Sequence, residues 1–408
     1  MAAAGELPAA AGARLESVRA LAGLLREAQP RAMAEESTFR GLLEILTSAS
    51  GEIEQACKDS HELVDLDACL LLLTECFRCL RNACVECAKN QHLLRTCLTY
   101  SDKKVVAYCC MVLFTCLDPE KVREFLDPGN LTVALRVLKV YKEQLESEWS
   151  FLIFTDRLLN SPELVQALYA KLSNQERVPL LELMMAKVSE KSPVTSEDPN
   201  VFMRHAGFLA DCFQETCGAV LKLTSAAGAE DEEALVTIRL LDVLCEMTSK
   251  NRHLEHLQAL PGLLETAIDT LRLTHLAGKQ AVNVFTATHA VTAQEEISHP
   301  AEGFKSHLIR LIGNLCYRNK GNQDKVYELD GIPLILDNCS IDDNNPFVKQ
   351  WAVFAIRNLT EQNERNQEFI AQLEHKRLAD SSALESMGLE IEKRDDKLIL
   401  SSARKKPS

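Results

Sequence analysis

Apolar residues recur along this chain every three or four positions, in blocks a dozen or more residues long divided by short polar breaks. That is the pattern of helices burying one or two stripes each. It predicts helices over Ser37–Ala49, Ala68–Lys89, Leu131–Leu145, Trp149–Leu159, Glu163–Leu172, Glu176–Val188, Val201–Thr224, Glu232–Met247 and Leu263–Leu276. The breaks are a Ser- and Pro-containing segment at 189–200, an acidic one at 226–233 and a long aperiodic one at 277–303. The first twelve residues and the stretch after Lys393 read as unstructured, with Lys397–Leu400 as a short terminal element.

The pattern also repeats at a larger scale. Ile312-Gly313-Asn314-Leu315-Cys316-Tyr317-Arg318-Asn319-Lys320-Gly321-Asn322-Gln323 returns 44 residues later as Ile356-Arg357-Asn358-Leu359-Thr360-Glu361-Gln362-Asn363-Glu364-Arg365-Asn366-Gln367. Asn82 and Asn90 keep the same mutual spacing as Asn314 and Asn322, and Val105–Cys116 echoes Val348–Leu359 with Thr115 where Asn358 stands. A period in the forties with helical patterning predicts an all-α helical repeat solenoid of the armadillo or HEAT type. One unit can be followed through its punctuation. Asn322 is expected to cap a short helix ending near Leu329, Gly331 to give a left-handed turn, and Pro333 to sit in the first turn of a second helix. Asn345-Pro346 then precedes a third helix over Phe347–Glu361. Segment by segment, the expectation is an N-terminal piece at 1–36 with one short helix, repeats at 37–117, degenerate repeats at 118–300, a repeat pair at 301–375 and a tail at 376–408.

Composition narrows the function. A net charge of −14 sets the chain against nucleic acid and against anionic membrane surfaces, and favours protein partners. No apolar run reaches a membrane span, and the Ala-rich start with Glu6 makes a poor export signal, so the expectation is a protein of the cell interior without membrane insertion. Fifteen cysteines within long apolar runs then read as reduced thiols.

The sharpest chemical pattern is Cys76-x-x-Cys79-x4-Cys84-x-x-Cys87, whose spacing resembles a zinc site. On one helix, however, Cys76 and Cys87 stand about 16 Å apart along the axis, too far to close one tetrahedron. Small apolar residues in a tight helix interface is the better reading. His253 and His256 lack further ligands nearby, and no phosphate loop, nucleophile elbow or metalloprotease motif appears, so neither catalysis nor a cofactor is expected. What remains is a candidate protein-binding groove on the third helices, made of Arg78, Asn82, Arg310, Asn314, Arg318, Trp351, Phe354, Arg357 and Asn358. Its repeated Asn residues either form a ladder for the backbone of an extended ligand or buttress neighbouring repeats. Its Arg and aromatic residues suit an acidic or amphipathic segment.

Long runs resemble the ataxin-10 family. Gly303–Tyr317 and Glu328–Cys339 are similar to its conserved C-terminal domain, and Thr74–Cys84, Ser161–Ala167 and Ile238–Thr248 are similar to its upstream part. After Asn90-Gln91, Leu94-Arg95 passes within a few residues to Asp102-Lys103, where the family carries a further repeat, so the chain reads as a shortened form. The resemblance implies a non-catalytic scaffold with roles in neuronal survival, neurite outgrowth through Ras and MAP-kinase signalling, and cytokinesis. It implies partners among a heterotrimeric G-protein β subunit, O-GlcNAc transferase and mitotic kinases, together with self-association. The implied location is cytoplasmic and perinuclear, with centrosome, basal body and midbody. A nuclear-import carrier is the alternative function, although the positions one turn before the inner Asn hold Arg78, Arg310 and Phe354 rather than the Trp of that class.

Overall fold

A computed structural model describes residues 9–58, 66–84, 87, 98, 103–144, 148–189, 198–224, 231–249, 253–280, 285, 301–339, 345, 347–376, 389–394 and 397–402. The chain divides into two compact units, Met1–Leu183 and Met184–Ser408. The first contains α1 (Ala9–Leu24), α2 (Ala28–Met33), α3 (Glu36–Lys58), α4 (Leu66–Cys84), α5 (Lys103–Cys116), α6 (Pro119–Glu124), α7 (Pro128–Glu143), α8 (Glu148–Leu152) and α9 (Pro162–Lys171). The boundary falls within α10 (Asn174–Ser189). The second contains α11 (Pro199–Thr216), α12 (Glu232–Ser249), α13 (Leu254–Gln258), α14 (Leu263–Gln280), α15 (Phe304–Cys316), α16 (Lys320–Glu328), α17 (Gly331–Asp337), α18 (Val348–Thr360) and α19 (Glu364–Lys376). The fold is the all-α helical repeat that the periodicity predicts.

Helix starts follow local chemistry. Asp118, Asp127, Ser161 and Asp198 each precede a proline and accept a first-turn backbone N–H on their side chain, fixing α6, α7, α9 and α11. Such caps contribute about 1 kcal/mol apiece. Apolar stripes do the rest. Leu308, Ile309, Leu311, Ile312 and Leu315 of α15 are fully buried, as are Ala352, Ala355 and Leu359 of α18. Each large side chain so enclosed stabilises the fold by roughly 1.5–3 kcal/mol. The two helices approach closely at Gly313, where a Cβ would lie 3.0 Å from the Phe354 ring and 3.1 Å from the Ala355 Cα.

Several local expectations change. The N-terminal piece is not one short helix after twelve unstructured residues, because α1 starts at Ala9, runs 16 residues and packs against α4. The cap of α16 is Asn319, whose Oδ1 accepts the Asn322 N–H at 3.0 Å, so the cap stands three residues before the position expected. Asp330, not Gly331, takes the left-handed conformation, with φ 54°. Gly331 is instead required by contact, since a Cβ there would meet Val326 Cγ1 at 2.6 Å. The cap of α18 is Phe347 and not Asn345: buried Asn345 accepts the Lys305 N–H in the first turn of α15 at 3.0 Å and donates to Phe285 O at 2.7 Å, tying separate segments together.

The Trp149–Leu159 helix stops at Leu152 and continues as a π turn over Ile153–Arg157 and a 3-10 turn over Leu158–Asn160. Trp149 and Arg157 both pack on the Phe114 ring there, at 5.7 and 4.6 Å. At the C-terminal end, β1 (Leu389–Arg394) and β2 (Lys397–Ser402) form an antiparallel hairpin where the sequence suggested only a short element.

Candidate functional site

In the second unit, α12, α15 and α18 are the third helices of consecutive repeats and pack in that order. The repeat of 44 residues is kept at the level of single torsions. Arg318 and Gln362 both turn left-handed just after their helices, with φ 51° and 56°. The preceding residues, Tyr317 and Glu361, share φ −61° and ψ near 114°.

The conserved-spacing amides meet the carbonyls that a helix end leaves unpaired. The Tyr317 N–H turns to Asn314 O at 3.2 Å, which leaves Gly313 O without its usual intrahelical donor. Asn358 Nδ2 donates to it from the next repeat at 2.9 Å. Asn314 Nδ2 reaches back in the same way to Thr248 Oγ1 at 3.0 Å and Cys245 O at 3.4 Å. Asn82 of the first unit donates to Ala22 O at 2.9 Å, linking α4 to α1. All three Asn residues are buried. The ladder reading of Asn82, Asn314 and Asn358 is therefore corrected: their amide donors serve the neighbouring repeat and do not face a ligand. At the corresponding position of α5, Thr115 donates to Val112 O of its own helix at 2.8 Å.

A second amide clasp occurs twice. Gln258 Nε2 donates to Tyr317 O at 2.8 Å while its Oε1 accepts from Asn319 Nδ2 at 3.2 Å. Gln323 Nε2 donates to Asn358 O at 2.8 Å while its Oε1 accepts from Asn363 Nδ2 at 3.1 Å. Asn322 and Asn366 complete the pattern on Leu315 O and Leu359 O, at 2.8 and 2.9 Å, in the structural role expected of them. Asn90, grouped with them by spacing, lies outside the described residues. Gln258 lies 65 residues before Gln323, so the 44-residue repeat in the sequence does not pair the two.

With the amides engaged, the open face of these helices is built from charge and aromatic rings. Asp242 and Glu246 of α12 meet His307 and Arg310 of α15. His307 Nδ1 lies 2.7 Å from Asp242 Oδ1, and Arg310 Nη2 lies 3.2 Å from Glu246 Oε2. The Arg310 guanidinium also sits over the Trp351 ring at 4.9 Å, and Trp351 meets Phe354 edge-on at 5.7 Å. Arg310 is thus paired and stacked, with 20% of its side chain exposed. Arg318 and Arg357 are the exposed cations here. The Arg318 side chain is 70% exposed, over the Tyr317 ring and 3.9 Å from Glu361 Oε1. In the first unit, Arg78 forks onto the buried Glu75 at 3.0 and 3.2 Å. Arg78 and Asn82 therefore belong to a different unit from the other seven candidates.

The Cys76–Cys87 motif also has a definite place. Cys76 and Cys79 are buried on α4, Cys79 Sγ donates to Val18 O at 3.1 Å, and burial pushes both thiols up to about 12. Such thiols are weak nucleophiles and weak metal ligands. Among the described residues, no three His, Cys, Asp or Glu side chains converge in a way that could hold a metal ion, and no helix is long and apolar enough to cross a membrane.

Residues 304–401, which hold the repeat pair and the hairpin, match the family described as the Spinocerebellar ataxia type 10 protein domain. Over nearly the full length, the chain is 49% identical to ataxin-10 of Xenopus tropicalis, covering 95% of this chain and 92% of that one. Against ataxin-10 of Homo sapiens it is 47% identical, covering 96% and 95%. An ataxin-10 homolog of Dictyostelium discoideum is 50% identical over 97 residues, 24% of this chain and 16% of its own. The Xenopus alignment runs over 448 positions yet takes up 95% of 408 residues, about 388, which leaves roughly 60 positions of the relative without a counterpart here. Gaps of that total size accord with an internally shortened array. The expected junction, near Arg95, lies outside the described residues.

Proposed function

The chain belongs to the ataxin-10 family, and on that premise we propose that it is a protein-binding scaffold that works through the third-helix face of its second unit and performs no catalysis of its own. The observation that carries this reading is the set of aromatic and basic side chains left at the surface after the amide donors of Asn314, Asn322, Asn358 and Asn366 have been engaged internally. Trp351 and Phe354 are half-buried, while Arg318 and Arg357 of the same two repeats are exposed. Such a surface suits an acidic or amphipathic segment, because aromatic and Arg residues dominate the binding energy of protein interfaces. An import carrier that grips an extended peptide by Asn amides is disfavoured, since the Nδ2 groups of Asn314 and Asn358 already have acceptors.

Kinship supplies the biological setting of the proposal: signalling in neuronal survival and neurite outgrowth, and cytokinesis. The partners are a G-protein β subunit, O-GlcNAc transferase, mitotic kinases and further copies of the chain. The setting is cytoplasmic and perinuclear, with centrosome, basal body and midbody. The test is binding of purified G-protein β subunit and of O-GlcNAc transferase to the full chain, beside a variant carrying Arg318→Glu and Arg357→Glu. Both residues are exposed, so the fold is expected to persist by circular dichroism while binding of at least one partner falls. Equal binding of both partners by both proteins rejects this face as the docking surface.

A further inference from the structure

The backbone at the start of α18 is left-handed, with φ 63° at Phe347. The position one repeat earlier, 44 residues back, is Gly303, which is left-handed too, with φ 78°, and precedes α15 in the same way. The repeat therefore demands a left-handed residue before each of these two third helices. Glycine meets that demand without cost, whereas a bulky side chain is strained by the approach of its Cβ to the backbone. Phe347 meets it with an aromatic ring, and the residue is 68% exposed. The repeat imposes the left-handed turn, but it does not call for an exposed aromatic ring there, and exposed apolar residues at strained positions collect at sites of binding.

Its neighbours give the position a use. At 100° per residue, Trp351, Phe354 and Arg357 fall on one stripe of α18, and Phe347 stands at the cap of that helix, one turn before Trp351. Trp351 and Phe354 are in mutual contact on that stripe. Its C-terminal end carries exposed Arg357, with Arg318 alongside near Glu361. Rings at one end and exposed cations at the other match a segment with apolar side chains followed by carboxylates.

We propose that Phe347, at the cap of α18, is a binding anchor that together with Trp351 receives the apolar side chains of an acidic peptide segment from a partner protein. The proposal rests on the scaffold reading above and deepens it. A dedicated anchor behaves differently from a structural residue: replacing it with a residue at ease in the left-handed region strengthens the fold and weakens binding.

The experiment uses the full chain, its Phe347→Asn and Phe347→Gly variants, and Arg357→Glu. The probe is a fluorescein-labelled synthetic peptide with a block of leucines followed by a block of glutamates, with a lysine–leucine peptide of the same block order as control. Hydrogen exchange over α18 reads local stability. Phe347→Asn is expected to slow that exchange roughly fivefold, the factor that relief of about 1 kcal/mol of strain gives, and both variants are expected to bind the acidic peptide about tenfold more weakly. Unchanged peptide binding in both Phe347 variants overturns the anchor. Faster exchange in Phe347→Asn also overturns it, since Phe347 would then be a packing residue. If Arg357→Glu alone weakens binding, the anchor fails and the scaffold face stands. If no variant changes binding, or the lysine–leucine peptide binds as well as the acidic one, both readings fail.

Discussion

Replacing Asn358 by Ala separates a repeat-joining amide from a ligand-binding one. Asn358 is 2% exposed, and its Nδ2 is the donor that reaches Gly313 O, a carbonyl whose own helix no longer supplies one. The substitution leaves that buried acceptor unsatisfied, at about 1–3 kcal/mol. It also removes a side-chain amide from a packed interface, which adds a cavity term. Together these give a destabilisation of roughly 2–3 kcal/mol at the α15–α18 interface. With two compact units, a single unfolding midpoint is a poor measure of this, so the assay is hydrogen exchange read peptide by peptide on the full chain. Amides of α15 and α18 are expected to exchange roughly 30- to 150-fold faster, and those of α4 and α5 to stay unchanged. Gln367→Ala is the control, because Gln367 is exposed and its Nε2 donates to Thr360 O within its own repeat. It is expected to change exchange by less than about twofold. Unchanged protection of α15 and α18 in Asn358→Ala, or an equal effect in Gln367→Ala, refutes the argument that cross-repeat amides hold these helices together.

Thiol chemistry and pH supply two further outcomes. Burial raises the thiols of Cys76, Cys79 and Cys110 to about 12 and pushes those of Cys245 and Cys316 up as well, so these five are expected to resist alkylation at neutral pH and to react once the chain is unfolded. Mass spectrometry of labelled peptides checks this, and fast native labelling of Cys79 or Cys245 would contradict it. His275 is held below the ordinary imidazole value by burial first and by the Lys279 and Lys305 charges next, against the opposing pull of Asp337. In the unfolded chain it takes a proton near pH 6.5, while in the fold it stays neutral to lower pH. The unfolded state therefore binds more protons in that window, and stability of the second unit is expected to fall as pH drops below about 6.5. Urea titrations at stepped pH on the full chain and on His275→Gln test it, and an unaltered pH slope in the variant rejects His275 as the source.

The candidate site was legible in the sequence only in part. The offset between Asn314 and Asn358 announced a repeated structural demand, and Arg310, Trp351 and Phe354 do come together on neighbouring helices. The sequence left the direction of the Asn side chains open, because a position on a helix stripe says which face a residue lies on and nothing about the carbonyl opposite. Arg310 likewise looked available until Glu246, 64 residues earlier, stood beside its guanidinium. Gln258 and Gln323 carry the second clasp from 65 residues apart, an offset that the 44-residue search does not sample.

By itself the sequence determined most of the helices and the repeat, since these depend on apolar spacing, while the caps of α16 and α18 stand at residues other than those it suggested. Stripes on α15 and α18 can be buried only against further helices, so the repeated architecture followed as well. Tertiary structure alone decided which polar groups remained for partners. Carbonyls at the ends of the third helices draw the nearest amides from the adjoining repeats, and acids on α12 neutralise bases on α15 at distances fixed only by stacking. Phe347 and Arg357 stay exposed beyond those contacts, and they flank the half-buried Trp351 and Phe354.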